Sequence, residues 1–294
     1  MGFRIWLIIC TIGTGWGLIF FFNEVMIREL GPMTLSLGRI STGALALWLV
    51  IFATGRSVRI GWPVAFGLIV LGLFNYAFPF TIYPAAQSVI TSTATGIINA
   101  LTPIMVVVVA SLWRGAEATP AHKWVGVILG LAGIVLLSQS SGEDGGSALW
   151  GLALAMLAPV CYGIALNYAR YFKALDPLVV TAVALTGASV VYAPVALSLE
   201  GMPAITSSAT IWSMVVAGPI LTGALFAVFY WLIQQVGPVV PSTVTFIAPV
   251  SATLMGVFAL NEPFTLWHAG GIALIFCALL VIDGALLRRL GLMV

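Results

Sequence analysis

Apolar stretches long enough to cross a bilayer recur down this chain, separated by short polar breaks. A helix needs roughly 20 apolar residues to span the hydrocarbon. On that measure ten spans are predicted, at about 3–22, 33–54, 61–83, 88–113, 121–140, 148–169, 177–199, 209–233, 240–260 and 265–287. Only Ser140 to Ser147 reads as a linker, and it lies at the midpoint. The pattern predicts an all-α integral membrane protein with a first unit over 1–140, a linker over 141–147 and a second unit over 148–294, five transmembrane helices in each. The first span, Ile5 to Phe22 after Met1-Gly2-Phe3-Arg4, lacks a small-residue cleavage site and carries Phe20-Phe21-Phe22, which suits an interface anchor. It is expected to be a retained helix.

The two units share landmarks. Thr91 to Trp113 is an apolar segment with a proline at its middle, Pro103, and it runs into Glu117 and Gly126; Pro241 to Leu260 carries Pro249 and runs into Glu262 and Gly271. Trp16-Gly17 answers Tyr162-Gly163, Gly31-Pro32 answers Asp176-Pro177, and Tyr83 answers Tyr230, all at offsets of 145 to 147. Paired proline-interrupted segments in matching halves point to a transporter's substrate site near the bilayer midplane.

Charge changes the picture in two ways. The chain of 294 residues is 61% hydrophobic and only 7% charged, with a mean hydropathy of +1.15, so it cannot clothe a water-facing surface. A net charge of +2 without a basic run gives no reason to expect nucleic acid; the expected surroundings are the lipid bilayer. Alternating the loops puts Arg4, Arg56, Arg59, Arg114, Lys123, Arg170, Lys173, Arg288 and Arg289 on one side and Arg28 alone on the other, which predicts cytoplasmic N- and C-termini. Because five spans is an odd number, two homologous units must then lie antiparallel, as an inverted repeat suited to alternating access.

Candidate chemistry is sparse. Ser88, Ser92, Thr95, Asn99 and Thr102 recur at helical steps along span 4. Thr95, Asn99 and Thr102 are candidate cavity-lining residues, with close helix packing as the alternative for the hydroxyls; Asn99 is harder to bury idly, and with the carbonyl that Pro103 leaves unbonded it offers an anchor for an ammonium group. Trp16, Tyr76, Phe78, Tyr83, Tyr162, Phe226 and Tyr230, with Thr222 and Thr245, complete the candidate cavity lining, with ordinary helix packing as the alternative. Arg39 is the one cation well inside a span; it is expected to tether structure, snorkelling toward Glu24 or Glu29. Glu117 and Glu262 precede spans 5 and 10 and are expected to stabilise the starts of those helices. Pro103 and Pro249 are hinge candidates.

The order Trp16-Gly17, Pro32 and Arg39, and the closing pattern Pro249-Val250, Asn261-Glu262, Thr265 and Gly271, resemble the ten-helix EamA-type members of the drug/metabolite transporter superfamily over nearly the whole chain. Within it the chain looks closest to YddG-type exporters of aromatic and other neutral amino acids. Leu18-Ile19 departs from the polar pair common after Trp-Gly, and Asn261 stands where the family has glycine. The resemblance implies a protein of the bacterial inner membrane that exports a small neutral metabolite and acts as a monomer without a cofactor.

Several classes fall away. Phosphorylated cargo calls for clusters of buried cations, and a proton relay for midplane Asp, Glu or His; neither is present in the sequence. His122 and His268 lack partners for hydrolytic chemistry, and Cys10, Cys161 and Cys277 lack metal or disulfide spacing, so neither an enzyme nor a metal site is expected. Efflux of other hydrophobic small molecules or drugs stands as the competing function.

Overall fold

The computed structural model describes residues 3–113, 120–138, 145–236 and 244–283, and all of its regular structure is helical. The helices are α1 (Phe3–Met26), α2 (Pro32–Ala53), α3 (Trp62–Gln87), α4 (Ser92–Asn99), α5 (Thr102–Leu112), α6 (Ala121–Ser138), α7 (Gly145–Ala169), α8 (Pro177–Glu200), α9 (Ser208–Leu232, its last turn reaching Val236), α10 (Val244–Leu260) and α11 (Leu266–Asp283). Prolines open α2 and α8 and sit in the first turn of α3, where the missing N–H has no helical partner to lose. Among the described residues, α1, α2, α3, α7, α8 and α9 are long and apolar enough to cross a membrane, α4 and α5 together make a seventh such segment bent by 41°, and shorter apolar helices occupy the places of the expected fifth, ninth and tenth spans.

Three expectations need correction. The predicted span over 88–113 begins only at Ser92, capped by the Thr91 hydroxyl, and Ser88 lies outside that helix, exposed. The segment then breaks: Ala100 and Leu101 donate to Ile97 and Ile98 in tight turns at 3.1 and 2.9 Å, and Pro103 falls in the first turn of α5. Pro249, its counterpart, stays inside the continuous helix α10, so among the described residues only one of the two proline segments is broken. The linker 141–147 is helical from Gly145 on.

Both α3 and α9 contain a π-helical stretch, Leu73–Ala77 and Val216–Ala224. Such stretches rotate the side chains beyond them and recur at functional sites. The freed carbonyls find side chains: Ser36 donates to Ala77 at 3.0 Å and Thr222 to Ala217 at 2.8 Å.

The helices pack in a recurring set of pairs: α1 on α10, α7 on α5, α2 on α8, α4 on α10, α6 on α11, α2 on the middle of α9, α3 on α8, and the second half of α3 on α7. Glycines allow helices to approach backbone to backbone. A Cβ on Gly17 of α1 would lie 2.3 Å from the Ala248 carbonyl of α10, and one on Gly163 of α7 would lie 2.8 Å from the Met105 carbonyl of α5. Arg56, Arg59, Lys123, Arg170 and Lys173 mark one end of the bundle by the order of the helices, and Glu29, Glu200 and Glu262 the other. We call these the basic and acidic ends.

Candidate functional site

A cavity of about 100 Å³ lies between the helices, walled by Trp16, Phe20, Phe80, Tyr83, Tyr162, Phe226, Phe229 and Tyr230, with Asn23, Arg39, Asn75, Asn99 and Thr102 as its polar members. Its aromatic rings contact one another: Trp16 is centred 4.8 Å from Phe226 and 4.9 Å from Phe229, and Tyr83 lies 5.3 Å from Phe20 and 6.3 Å from Tyr162. Adjoining it is a vestibule of about 630 Å³ that shares Thr102, Leu166, Phe229 and Tyr230 and is lined further out by Arg170, Lys173 and Gln234. The cavity therefore borders a wide opening at the basic end.

The acidic end is held by three carboxylates, each set against the start of another helix. Glu200, at the end of α8, accepts from the amides of Met33 and Thr34 at 2.9 and 2.7 Å, at the start of α2. Glu262 accepts from the Ser92 amide and hydroxyl at 2.7 and 2.6 Å and from the Thr93 amide at 2.9 Å, at the start of α4. Glu29 accepts from the Thr206 hydroxyl at 2.6 Å and the Ser207 amide at 3.0 Å, just before α9. The Thr206 hydroxyl bond is the largest cause holding the Glu29 carboxyl below the usual carboxylate range. A carboxylate at a helix start meets both the unpaired amides and the positive end of the helix dipole.

Glu262 thus corrects its sequence reading: it binds α4, not the helix that follows it, and α11 is instead begun by Thr265, whose amide and hydroxyl meet His268 Nδ1 at 3.2 and 2.9 Å. The reversal is made by Asn261, at φ 56°, in the left-handed region that glycine and then asparagine adopt most readily. That explains why Asn261 can stand where the family has glycine. Gly256 completes the fit, since a Cβ there would lie 2.2 Å from the Thr93 hydroxyl and 2.3 Å from the Glu262 carboxylate.

The expected lining residues divide. Trp16, Tyr83, Asn99, Thr102, Tyr162, Phe226 and Tyr230 line the cavity. Tyr76 does not; it is buried behind the wall, edge-on to Phe226 at 5.0 Å. Phe78 packs on Phe74, because the π-helical turn of α3 brings Asn75 and Phe80 to the cavity instead. Thr95 is buried and returns its hydroxyl to the Thr91 carbonyl at 2.9 Å, and Thr222 lies beneath Arg39. Glu117 and the side chain of Thr245 lie outside the described residues.

Asn99 is also not the free anchor that was expected. Its backbone carbonyl accepts from Thr102 Oγ1 at 2.7 Å and its side-chain oxygen from the Tyr83 hydroxyl at 2.8 Å. Arg39 departs furthest. It does not reach Glu24 or Glu29; it is 3% exposed, with Nη1 donating to Asn23 Oδ1 at 3.3 Å, Nη2 to Thr222 Oγ1 at 3.2 Å, and its guanidinium 3.7 Å above the Phe80 ring. Asn23 in turn donates to Gln87 at 3.1 Å, and Gln87 to the Phe20 carbonyl at 2.8 Å. Asn23 and Gln87 were missed because the predicted spans ended at 22 and 83, just short of them; carboxamides inside an apolar helix were the available signal.

An aromatic cavity inside a bundle of apolar helices, bordering an opening at one end, is the arrangement of a membrane transporter. Residues 4–139 and 149–283 each match the EamA-like transporter family, and the chain belongs to that family. It is similar to the uncharacterized transporter YoaV of Bacillus subtilis, 24% identical over 97% of this chain and 99% of the relative. An uncharacterized transporter of Archaeoglobus fulgidus is 24% identical over 94% and 98%, and the uncharacterized inner membrane transporter YedA of Escherichia coli K12 is 22% identical over 92% and 87%. A solved crystal structure, 22% identical, shares the fold with a TM-score of 0.69 over 95% of this chain and 98% of its own.

Proposed function

We propose that this transporter exports small neutral metabolites, foremost aromatic and other apolar amino acids as in the YddG-type exporters, by alternating access through the central cavity. One observation carries the reading: an aromatic cavity that shares its rim with an open vestibule at the basic end, while carboxylate clasps close the acidic end. On this reading the basic end is cytoplasmic, cargo enters there, and the chain described is the inward-open state.

Two inverted five-helix units explain the packing. Exchanging α1 with α7, α2 with α8, α3 with α9, α4 and α5 with α10, and α6 with α11 maps the principal helix pairs onto one another. The π-helical stretches of α3 and α9 correspond as well. Such a design reaches the outward-open state when the two units exchange conformations.

The test is counterflow in proteoliposomes with a panel of radiolabelled amino acids. Exchange of aromatic and large apolar amino acids, without exchange of acidic or basic ones, is the expected result. Exchange confined to non-amino-acid drugs would overturn the amino-acid reading in favour of general efflux.

A further inference from the structure

We infer that Arg39 is the post that holds the cargo's carboxylate, so that the carried molecule is recognised first as a monocarboxylate with an apolar body. This inference rests on the transporter reading above and deepens it. A guanidinium carries five N–H donors and a permanent charge. Arg39 is buried at the cavity wall with two bonds, both to neutral oxygens and both beyond 3.1 Å, at 3.3 and 3.2 Å. Charge-assisted bonds to a carboxylate normally close to about 2.7–2.9 Å. Its Nε–H has no partner, and the ion pair found among the described residues is Arg56 with Asp176, at the basic end and away from it. A buried cation without an anion is a costly arrangement that calls for an occupant.

The rest of the cavity agrees in sign. Its other buried unpartnered polar atom is Trp16 Nε1, again a donor, while both oxygens of Asn99 already accept a bond. A carboxylate is acceptor-only and matches these donors, whereas the acceptors the wall leaves for an ammonium group, the Asn75 side-chain oxygen and the tyrosine hydroxyls, are all uncharged. One guanidinium balances one negative charge, which suits a carboxylate and leaves a phosphate dianion half uncompensated. The aromatic rings around Arg39 take the apolar body.

The test measures thermal unfolding of the purified full-length chain in detergent with four probes that share a phenyl group: phenylalanine, hydrocinnamate (carboxylate only), phenethylamine (amine only) and 3-phenylpropanol (neither). Phenylalanine and hydrocinnamate are expected to raise the unfolding temperature, and the amine and the alcohol are not. Arg39→Gln should weaken hydrocinnamate binding at least tenfold, with part of it restored in Arg39→Lys. Stabilisation by phenethylamine equal to that by hydrocinnamate, or no shift with either carboxylate, would overturn the assignment without any variant needing to fold. Hydrocinnamate binding in a chain that shows no amino-acid counterflow would leave Arg39 standing and remove the amino-acid cargo. Undiminished phenylalanine counterflow in Arg39→Gln would do the reverse.

Discussion

Replacing Glu262 by glutamine probes what keeps the acidic end shut. Its carboxylate takes three donors at 2.6 to 2.9 Å, two of them amides of the first turn of α4. Hydrogen bonds to an ionised group are worth about 1.5–3 kcal/mol, against about 0.5–1.5 for neutral ones. Glutamine keeps one oxygen for two of the donors and turns an NH2 toward the third, so two bonds weaken by about 1 kcal/mol each and one is lost, roughly 4 kcal/mol in all. The half-exposed position and dissolved salt reduce this to about 2 kcal/mol. At about 1.4 kcal/mol per factor of ten, the balance between closed and open ends shifts by about 30-fold. Leu166 borders both cavity and vestibule, so a cysteine there, with Cys10, Cys161 and Cys277 replaced, reports access. A membrane-impermeant thiol reagent applied at the acidic end should label the Glu262→Gln protein tens of times faster than the parent. Equal rates from that end would refute the idea that this clasp contributes to closure.

Two further expectations follow from single contacts. Gly17→Ala places a methyl against the backbone carbonyl of Ala248, which cannot yield as a flexible side chain could; the unfolding temperature should fall, with a cost of about 1–3 kcal/mol. Gly61→Ala, whose nearest neighbour is Pro63 at 3.9 Å, should leave it unchanged. The depressed Glu29 carboxyl sets a pH dependence: its contribution is fully present above the ordinary carboxylate range and is lost only as pH falls through the lowered value. Thiol access at the acidic end should therefore stay flat through neutral and mildly alkaline pH and rise only in strong acid, and a rise near neutrality would assign closure to another group.

What could be read from the sequence was whatever depends on hydrophobicity and its spacing. The apolar runs marked the long helices, and Trp16, Tyr83, Asn99, Tyr162 and Tyr230 were placed on the cavity because aromatic and amide groups deep in such runs have few other uses. Backbone irregularities were not legible. The π-helical turn in α3 exchanges Phe78 for Asn75 and Phe80, and no period of 3.6 residues announces it. Pro103 and Pro249 look alike in sequence, but one follows a break and the other lies within a continuous helix. Long-range pairing was equally hidden: Glu262 binds residues 169 and 170 positions away, while sequence reasoning could offer it only the helix next door.

The cavity and the closed end are joined by the same side chains. Arg39, on α2, reaches Asn23 of α1 and Thr222 of α9, and Asn23 continues to Gln87 at the end of α3. Just beyond them, Glu29 ties the end of α1 to the start of α9, and Glu200 ties α8 to the start of α2. Arg39 thus holds from within α1 and α9, which the Glu29 clasp holds from the rim, and α2, which the Glu200 clasp holds there. Its bonds to the uncharged oxygens of Asn23 and Thr222 are long, and a carboxylate that drew the guanidinium toward itself would replace them with shorter bonds in which both partners are charged. On the alternating-access cycle proposed above, the helices at the acidic end would lose an internal tie at the moment a bound carboxylate gained one, so that occupancy of the cavity and opening of the far end would draw on one set of hydrogen-bond donors.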